Sequence, residues 1–317
     1  MKKLFALLFL FVLLIPSFAF GDSPQNIRVA TLSGTTGLAM VKLMEKPSIG
    51  GVPVTFDVYN NPNLVMAKLI AGEVDIAGLP TNMAAILYNK GVGIQLGAIV
   101  GWGVMYVVSS DPAIKKWSDL KGKEVYVASK GAISDILFQY LVTKNGLNPG
   151  VDLKIQYIAS AVEIAQLAAS GKITTAAMPE PWVTETLEKN PNLKIALNYQ
   201  KEWQRIEKKG LTYPQTCIVV SKKFATEHKE ILNKFLKELQ SSIGWIKRYP
   251  SEGGALAEKY IQIPAIDIVK GLSRCNLKYT DAVKVRTETD QFIQKLLEFY
   301  PDAVGGKAPD ETFYYQP

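Results

Sequence analysis

The chain is 317 residues long, about two domains' worth, and its hydrophobic content of 48% is ample for buried cores. Its formal net charge is +7, but the basic residues are scattered, with only short pairs such as Lys115-Lys116, Lys208-Lys209 and Lys222-Lys223. A nucleic-acid binder would gather them on one face with interleaved aromatics. The charge therefore reads as a solvated surface, and nucleic acid is not expected as a partner.

Residues 1–21 stand apart. Lys2 and Lys3 precede an apolar run over residues 4–15, and Ala19-Phe20-Gly21 forms a small-residue cleavage pattern. That is the pattern of a secretory signal peptide, with an apolar run too short to span a bilayer comfortably. No Cys follows the run, so nothing marks a lipid anchor. The expectation is export to the periplasm.

The alternation that follows is strand and helix. Ile27–Leu32 reads as a buried strand, residues 33–37 as a turn and residues 38–46 as a helix. Val52–Tyr59 is a second strand and residues 62–71 a helix. Residues 69–82, LIAGEVDIAGLPTN, then have a later counterpart in residues 168–181, AASGKITTAAMPEP. Gly72 matches Gly171, Ala77 matches Ala176 and Pro80 matches Pro179, at a constant offset of 99. Each copy reads as a helix ended by a Gly free to take positive φ, a short strand, and a Pro that stops the pairing. Residues just past each Pro sit at the carboxyl end of a strand, where open α/β sheets bind ligands.

Between the copies come a helix over residues 82–89, a strand over residues 94–100, a break at Gly101-Trp102-Gly103, and the strand Met105–Ser109. Glu124–Ala128 opens a second block with the same strand–helix order. After residues 215–221, another buried strand, one long amphipathic helix is expected over residues 224–249, carrying Leu232, Phe235, Leu236, Leu239, Ile243 and Ile246 at helical spacing. The alternation argues a parallel-rich α/β sheet in each of two Rossmann-like lobes. One lobe takes residues 22–109 and 214–317, and residues 110–213 are inserted as the other. A two-segment hinge is expected near Ser109-Ser110 and Tyr213-Pro214.

At this point the sequence resembles the periplasmic solute-binding proteins of ABC importers, the group of nitrate, sulfonate, bicarbonate, riboflavin and thiamine-pyrimidine binders. The matching features are the signal peptide, the turn at residues 33–37, and Ala71-Gly72-Glu73-Val74-Asp75-Ile76-Ala77. Trp117-Ser118-Asp119-Leu120-Lys121-Gly122-Lys123, Glu180-Pro181-Trp182 and Gly305-Gly306-Lys307-Ala308-Pro309-Asp310 match as well. The likeness covers essentially the whole mature chain. Thr174 departs from it, standing where the family repeats the Asp seen at Asp75. The resemblance implies the type II periplasmic binding protein fold, closing on a small molecule and handing it to a membrane permease, with a monomer expected. Enzymes of pyrimidine and menaquinone pathways share the fold, but they are cytoplasmic, which the signal peptide opposes.

The candidate ligand contacts follow from the strand ends. Ser33, Thr35 and Thr36 offer hydroxyls and backbone N–H groups at a helix start, either to a ligand oxygen or as ordinary caps. Thr81 and Asn82 follow the first Pro, as contacts or as the cap of the next helix. Trp102, between glycines, is either a stacking platform or a core ring. Ser134 and Asp135 open a helix in the second lobe, and Glu180 and Trp182 flank the Pro that ends the second copy. These loops hold no Arg. Two tryptophans and two acids favour a flat neutral or weakly cationic ligand, such as a pyrimidine or flavin; a sulfonate or nitrate is the alternative. No Walker or dinucleotide pattern is present, and no His/Cys cluster suggests zinc. His228, the only histidine, falls on the polar face of the long helix, so neither cofactor nor catalysis is expected. Cys217 and Cys275 are candidates for a disulfide in an oxidising compartment, provided their Cα atoms come close.

Overall fold

The structure is a computed structural model that describes residues 24–207 and 212–317. The signal-peptide segment and the Lys208-Lys209 pair lie outside the described residues. The first strand, β1 (Ile27–Leu32), buries Ile27, Val29, Ala30 and Thr31, as a strand between two parallel neighbours inside a covered sheet should. It leads into α1 (Thr35–Met40), β2 (Ser48–Ile49), β3 (Val52–Tyr59), α2 (Pro62–Ile70), β4 (Ile76–Pro80), α3 (Thr81–Asn89) and β5 (Ile94–Trp102). The second block is β6 (Met105–Ser109), β7 (Glu124–Ala128), α4 (Ile133–Lys144), β8 (Lys154–Ile158), α5 (Ala161–Ala169), β9 (Thr175–Pro179), α6 (Trp182–Lys189), β10 (Lys194–Asn198) and α7 (Tyr199–Glu207). The chain returns through β11 (Pro214–Ser221), α8 (Lys222–Glu227), α9 (Lys229–Arg248), α10 (Pro250–Ile261), α11 (Ala265–Gly271), β12 (Leu277–Asp281) and α12 (Ala282–Phe299).

Two sheets result. The first has seven strands in the order β12-β5-β11-β4-β1-β3-β2, and the second has five, β10-β6-β9-β7-β8. The internal repeat explains the likeness between them. Ala77 on β4 pairs with Ala30 on parallel β1 and Val219 on antiparallel β11. Its counterpart Ala176 on β9 pairs with Tyr126 on parallel β7 and Val108 on antiparallel β6. Gly72 and Gly171 take φ of 68° and 76°, the left-handed turn that each copy was expected to need.

The strand Met105–Ser109 corrects the expected boundary. It belongs to the five-stranded sheet, because its antiparallel partners are β9 and β10. The chain therefore crosses between Trp102 and Met105, not at Ser109-Ser110. The expected break at Gly101-Trp102-Gly103 narrows to Gly103-Val104, since β5 runs through Trp102 and β6 starts at Met105. The long helix is two helices, parted at His228, which stacks edge-on against Phe224 at 5.2 Å. All six expected apolar positions of α9 are buried. Among the described residues no helix is long and apolar enough to cross a membrane.

The two cysteines are both free and fully buried, so the candidate disulfide is not formed. Cys217 shares its cluster with Val219, and Cys275 shares the other cluster with Ile218 and Val220. Successive residues of a strand point to opposite faces, so β11 itself stands between the two thiols. Burial pushes the Cys217 thiol up to about 12. Thiolate, not thiol, is the reactive form. Titration with an aromatic disulfide reagent should therefore find no reactive thiol in the native protein and two after denaturation, with or without prior reduction.

Candidate functional site

The carboxyl ends of the parallel strands of both sheets open on one cleft. Ser33, Gly34, Thr35 and Thr36 line it from the turn between β1 and α1; Ala132, Ile133 and Ser134 line it from the start of α4. Pro179, Glu180 and Trp182 line it from the end of β9 and the start of α6. The cavity is small, about 100 Å³, and no Lys or Arg lines it among the described residues. Its remaining wall is largely apolar, with Leu32, Pro62, Val104, Met105 and Val162 among the lining residues.

Glu180 is fully buried and is not free for a ligand. Its Oε1 accepts from Arg274 Nε at 2.5 Å, and its Oε2 accepts from the backbone N–H and hydroxyl of Thr184 at 3.0 and 2.8 Å. Arg274 Nη2 also donates to Thr184 Oγ1 at 2.6 Å. Arg274 lies between α11 and β12, so this network joins the two sheets' halves across the cleft. Further links are Thr35 Oγ1 donating to the Glu180 carbonyl at 3.3 Å, Asn82 Nδ2 donating to the Gly131 carbonyl at 3.0 Å, and a Lys270–Glu188 ion pair.

Several expected contacts do structural work instead. Asp135 accepts from Gly131 N, Gln139 Nε2 and Tyr157 OH, at 2.8, 2.8 and 3.0 Å, so its oxygens hold the loop before α4. Burial and then the Asp135 carboxylate push the Tyr157 phenol up. Thr81 and Asn82 are fully buried at the start of α3 and do not line the cleft. Trp102 lines a different depression, where its Nε1 donates to the Lys278 carbonyl at 3.0 Å and Lys278 Nζ lies over its ring. It is no stacking platform for a molecule in the cleft. Ser33, Thr35, Thr36, Ser134, Glu180 and Trp182 do come together there.

The sequence reading missed several lining residues, among them Asn60 and Ser129 and two polar residues at the head of β11. Gln215 and Thr216 begin β11, and Thr216 lies opposite Pro80 in the sheet. The Thr216 hydroxyl is buried with no hydrogen-bond partner. Gln215 spends its Oε1 on Val104 N at 2.9 Å, which leaves its amide N–H groups free. Gly101 makes room for Thr216: a Cβ there would stand 2.3 Å from the Thr216 hydroxyl. Among the described residues the backbone N–H groups of Ile133, Ser134, Ala161 and Val162, at the starts of α4 and α5, also find no protein acceptor. The cleft thus offers neutral donors from both halves to whatever enters it.

A family model described as "ABC transporter, phosphonate, periplasmic substrate-binding protein" matches residues 38–263. The chain belongs to this family. The substrate-binding fold extends over nearly all of it. An ABC transporter protein from Parabacteroides distasonis shares 29% identity over 92% of this chain and 99% of its own, with a TM-score of 0.76. The aliphatic sulphonate binding protein SsuA of Escherichia coli is 16% identical over 93% and 98% of the two chains, with a TM-score of 0.73. The alkanesulfonate-binding SsuA of Xanthomonas axonopodis pv. citri, solved with MOPS bound, is 16% identical over 92% and 97%, with a TM-score of 0.71. No curated protein sequence matches this chain. The expected family and its two-lobed type II α/β fold are thereby established, and with them an extracytoplasmic substrate-binding role alongside an ABC importer.

Two tests follow from the charges at the junction. Removing Arg274 strands a buried carboxylate, which costs about 3–5 kcal/mol. Urea unfolding should show Arg274→Ala strongly destabilised, and Glu180→Gln in the same chain should recover part of the loss. Asp267 on α11 is 2% exposed. Burial, and then Glu185 on α6, pushes its carboxyl up to about 6. Lys189 and Lys270 act the other way. A carboxyl raised in the folded state binds its proton more tightly there, so stability falls as pH rises from about 4 through about 6 and the penalty persists above that. Asp267→Asn should therefore be more stable than the parent at pH 8, and no more stable at pH 4.

Proposed function

We propose that this substrate-binding protein holds a small molecule with an oxyanion head and a short apolar body between its lobes, and passes it to an importer permease. The observation that carries the reading is the buried, unpartnered Thr216 hydroxyl in a cleft also lined by the Gln215 amide and the helix-start N–H groups of α4 and α5. Buried polar groups are normally paired, so such a set calls for an acceptor-rich guest. Ser33, Thr35, Thr36, Ser134 and Trp182 complete the proposed contact set, and the apolar wall accommodates the body of the guest.

In this reading the lobes consist of residues 22–102 with 214–317, and of residues 105–213. Segments 102–105 and 213–214 serve as the hinge. A guest touching both lobes favours the form in which both sets of contacts exist. Export through residues 1–21 without a lipid anchor, and a monomeric state, belong to the same proposal.

The flat-ring reading rests on Trp182, the aromatic side chain on the wall. Trp102 points elsewhere, and the oxygens of Asp135 and Glu180 are engaged. A cavity of about 100 Å³ is also small beside the roughly 300–1,000 Å³ of sites for drug-sized ligands. Thermal unfolding separates the two readings. At a hundred times Kd a ligand adds ~2.7 kcal/mol, a Tm rise of roughly 5–10 °C for a chain of this length. The expected shift comes from ethanesulfonate or nitrate; a shift from riboflavin or pyrimidines alone reverses the assignment.

A further inference from the structure

Asn82 and Asn89 lie two turns apart on α3, and both reach the stretch of chain that follows α12. Asn89 Nδ2 donates to the carbonyls of Val304 and Lys307, at 2.7 Å each, so both of its N–H groups stay within its own half. Asn82 divides its pair. Its Nδ2 donates to the Ala303 carbonyl at 3.1 Å and, across to the other half, to the Gly131 carbonyl at 3.0 Å. Resting on the reading above, in which two lobes close on a guest, we infer that Asn82 is a positioning residue for guest binding. It does not line the cleft, but its second N–H fixes the loop before α4 against the first lobe when the lobes are closed.

Gly131 is held from two sides: its carbonyl receives Asn82, and its N–H donates to Asp135 Oδ2 at 2.8 Å. The loop it sits in is unusual backbone. Ser129 and Gly131 take φ of 55° and 78°, and a residue with a Cβ, such as Ser129, keeps that conformation only where its surroundings hold it. The first turn of α4 follows at once, and Ser129, Ala132, Ile133 and Ser134 line the cleft. Holding Gly131 against the first lobe therefore sets where the first N–H groups of α4 meet a guest. On the α6 side the halves are joined by the Arg274–Glu180 and Lys270–Glu188 pairs. Asn82 ties the α4 side.

A bond present in both the open and the closed form adds stability and leaves the balance between them alone; a bond made only on closing shifts that balance. The Ala303 bond is of the first kind, as are both bonds of Asn89, because each joins parts of one lobe. The Gly131 bond is of the second kind. Asn82 is fully buried in this closed arrangement, whereas parting the lobes exposes its freed N–H and the Gly131 carbonyl to water. One such net hydrogen bond changes the open–closed balance by a factor of roughly three to ten. Where the open form dominates without a guest, the same factor appears in Kd.

The test puts spin labels on Asn63→Cys and Glu163→Cys, exposed positions beside Pro62 and Val162 on the two rims of the cleft; both native thiols are buried. The distance between the labels reads the closed fraction, and titration with ethanesulfonate reads Kd. Asn82→Ala should lower the closed fraction and weaken ethanesulfonate roughly three- to tenfold. Asn89→Ala should lower Tm and leave both readouts at the parent's values. Asn82→Ser, the gentler substitution should the alanine variant not fold, should move both readouts in the same direction. A closed fraction equal to the parent's in the Asn82 variant overturns the inference whatever the guest is. A lowered closed fraction with no binding of ethanesulfonate by the parent supports the inference and overturns the assignment of that guest. A parent with no closed population, with or without ethanesulfonate, overturns both.

Discussion

A carboxylate with no access to water has to be neutralised where it stands, and Glu180 is fully buried. Its counter-charge, Arg274, comes from the far side of the cleft, from the turn between α11 and β12. The pair fixes how the two halves meet. Thr184 adds two hydrogen bonds to the same carboxylate, and Gly271 lies so close that a Cβ there would stand 2.4 Å from the Thr184 hydroxyl. Small residues and a satisfied ion pair thus let α6 and α11 approach, and the cleft is the space left beside them.

The internal repeat accounts for why a cleft exists at all. Each copy of the Gly–strand–Pro unit places a parallel strand between one parallel and one antiparallel neighbour, and stops pairing at Pro80 or Pro179. Two such units face each other with helices starting at the same rim. Helix starts leave backbone N–H groups without partners. The cleft inherits those donors from α4 and α5, which explains how it can be polar with no basic side chain lining it among the described residues.

Much of the fold was legible from the sequence because it rests on local signals. Gly72 and Gly171 need positive φ, the strands are short and branched, and the offset of 99 is constant. The two cysteines were not legible, since the intervening strand that separates them is a tertiary fact. Nor was the crossing at Trp102–Met105: whether Met105–Ser109 joins one sheet or the other depends on partners remote in sequence.

The site was half legible for a definite reason. Searching the residues after parallel strands finds Ser33, Thr35, Thr36, Glu180 and Trp182. It overlooks antiparallel strands, whose beginnings lie at the same rim. Gln215 and Thr216 open β11, and Val104 and Met105 precede or open β6, so all four line the cleft. A polar pair at the head of the apolar run in Gln215-Thr216-Cys217-Ile218-Val219-Val220 was the available signal. Asp135 and Asn82 misled because a short polar side chain at a helix start serves the backbone as readily as a guest. The central claim is that one guest is gripped by donors from both halves. A crystal structure of the protein grown with ethanesulfonate tests it most directly. The account predicts the sulfonate oxygens between Thr216 and the first turn of α4; the anion held by one half alone, or outside the cleft, would contradict it.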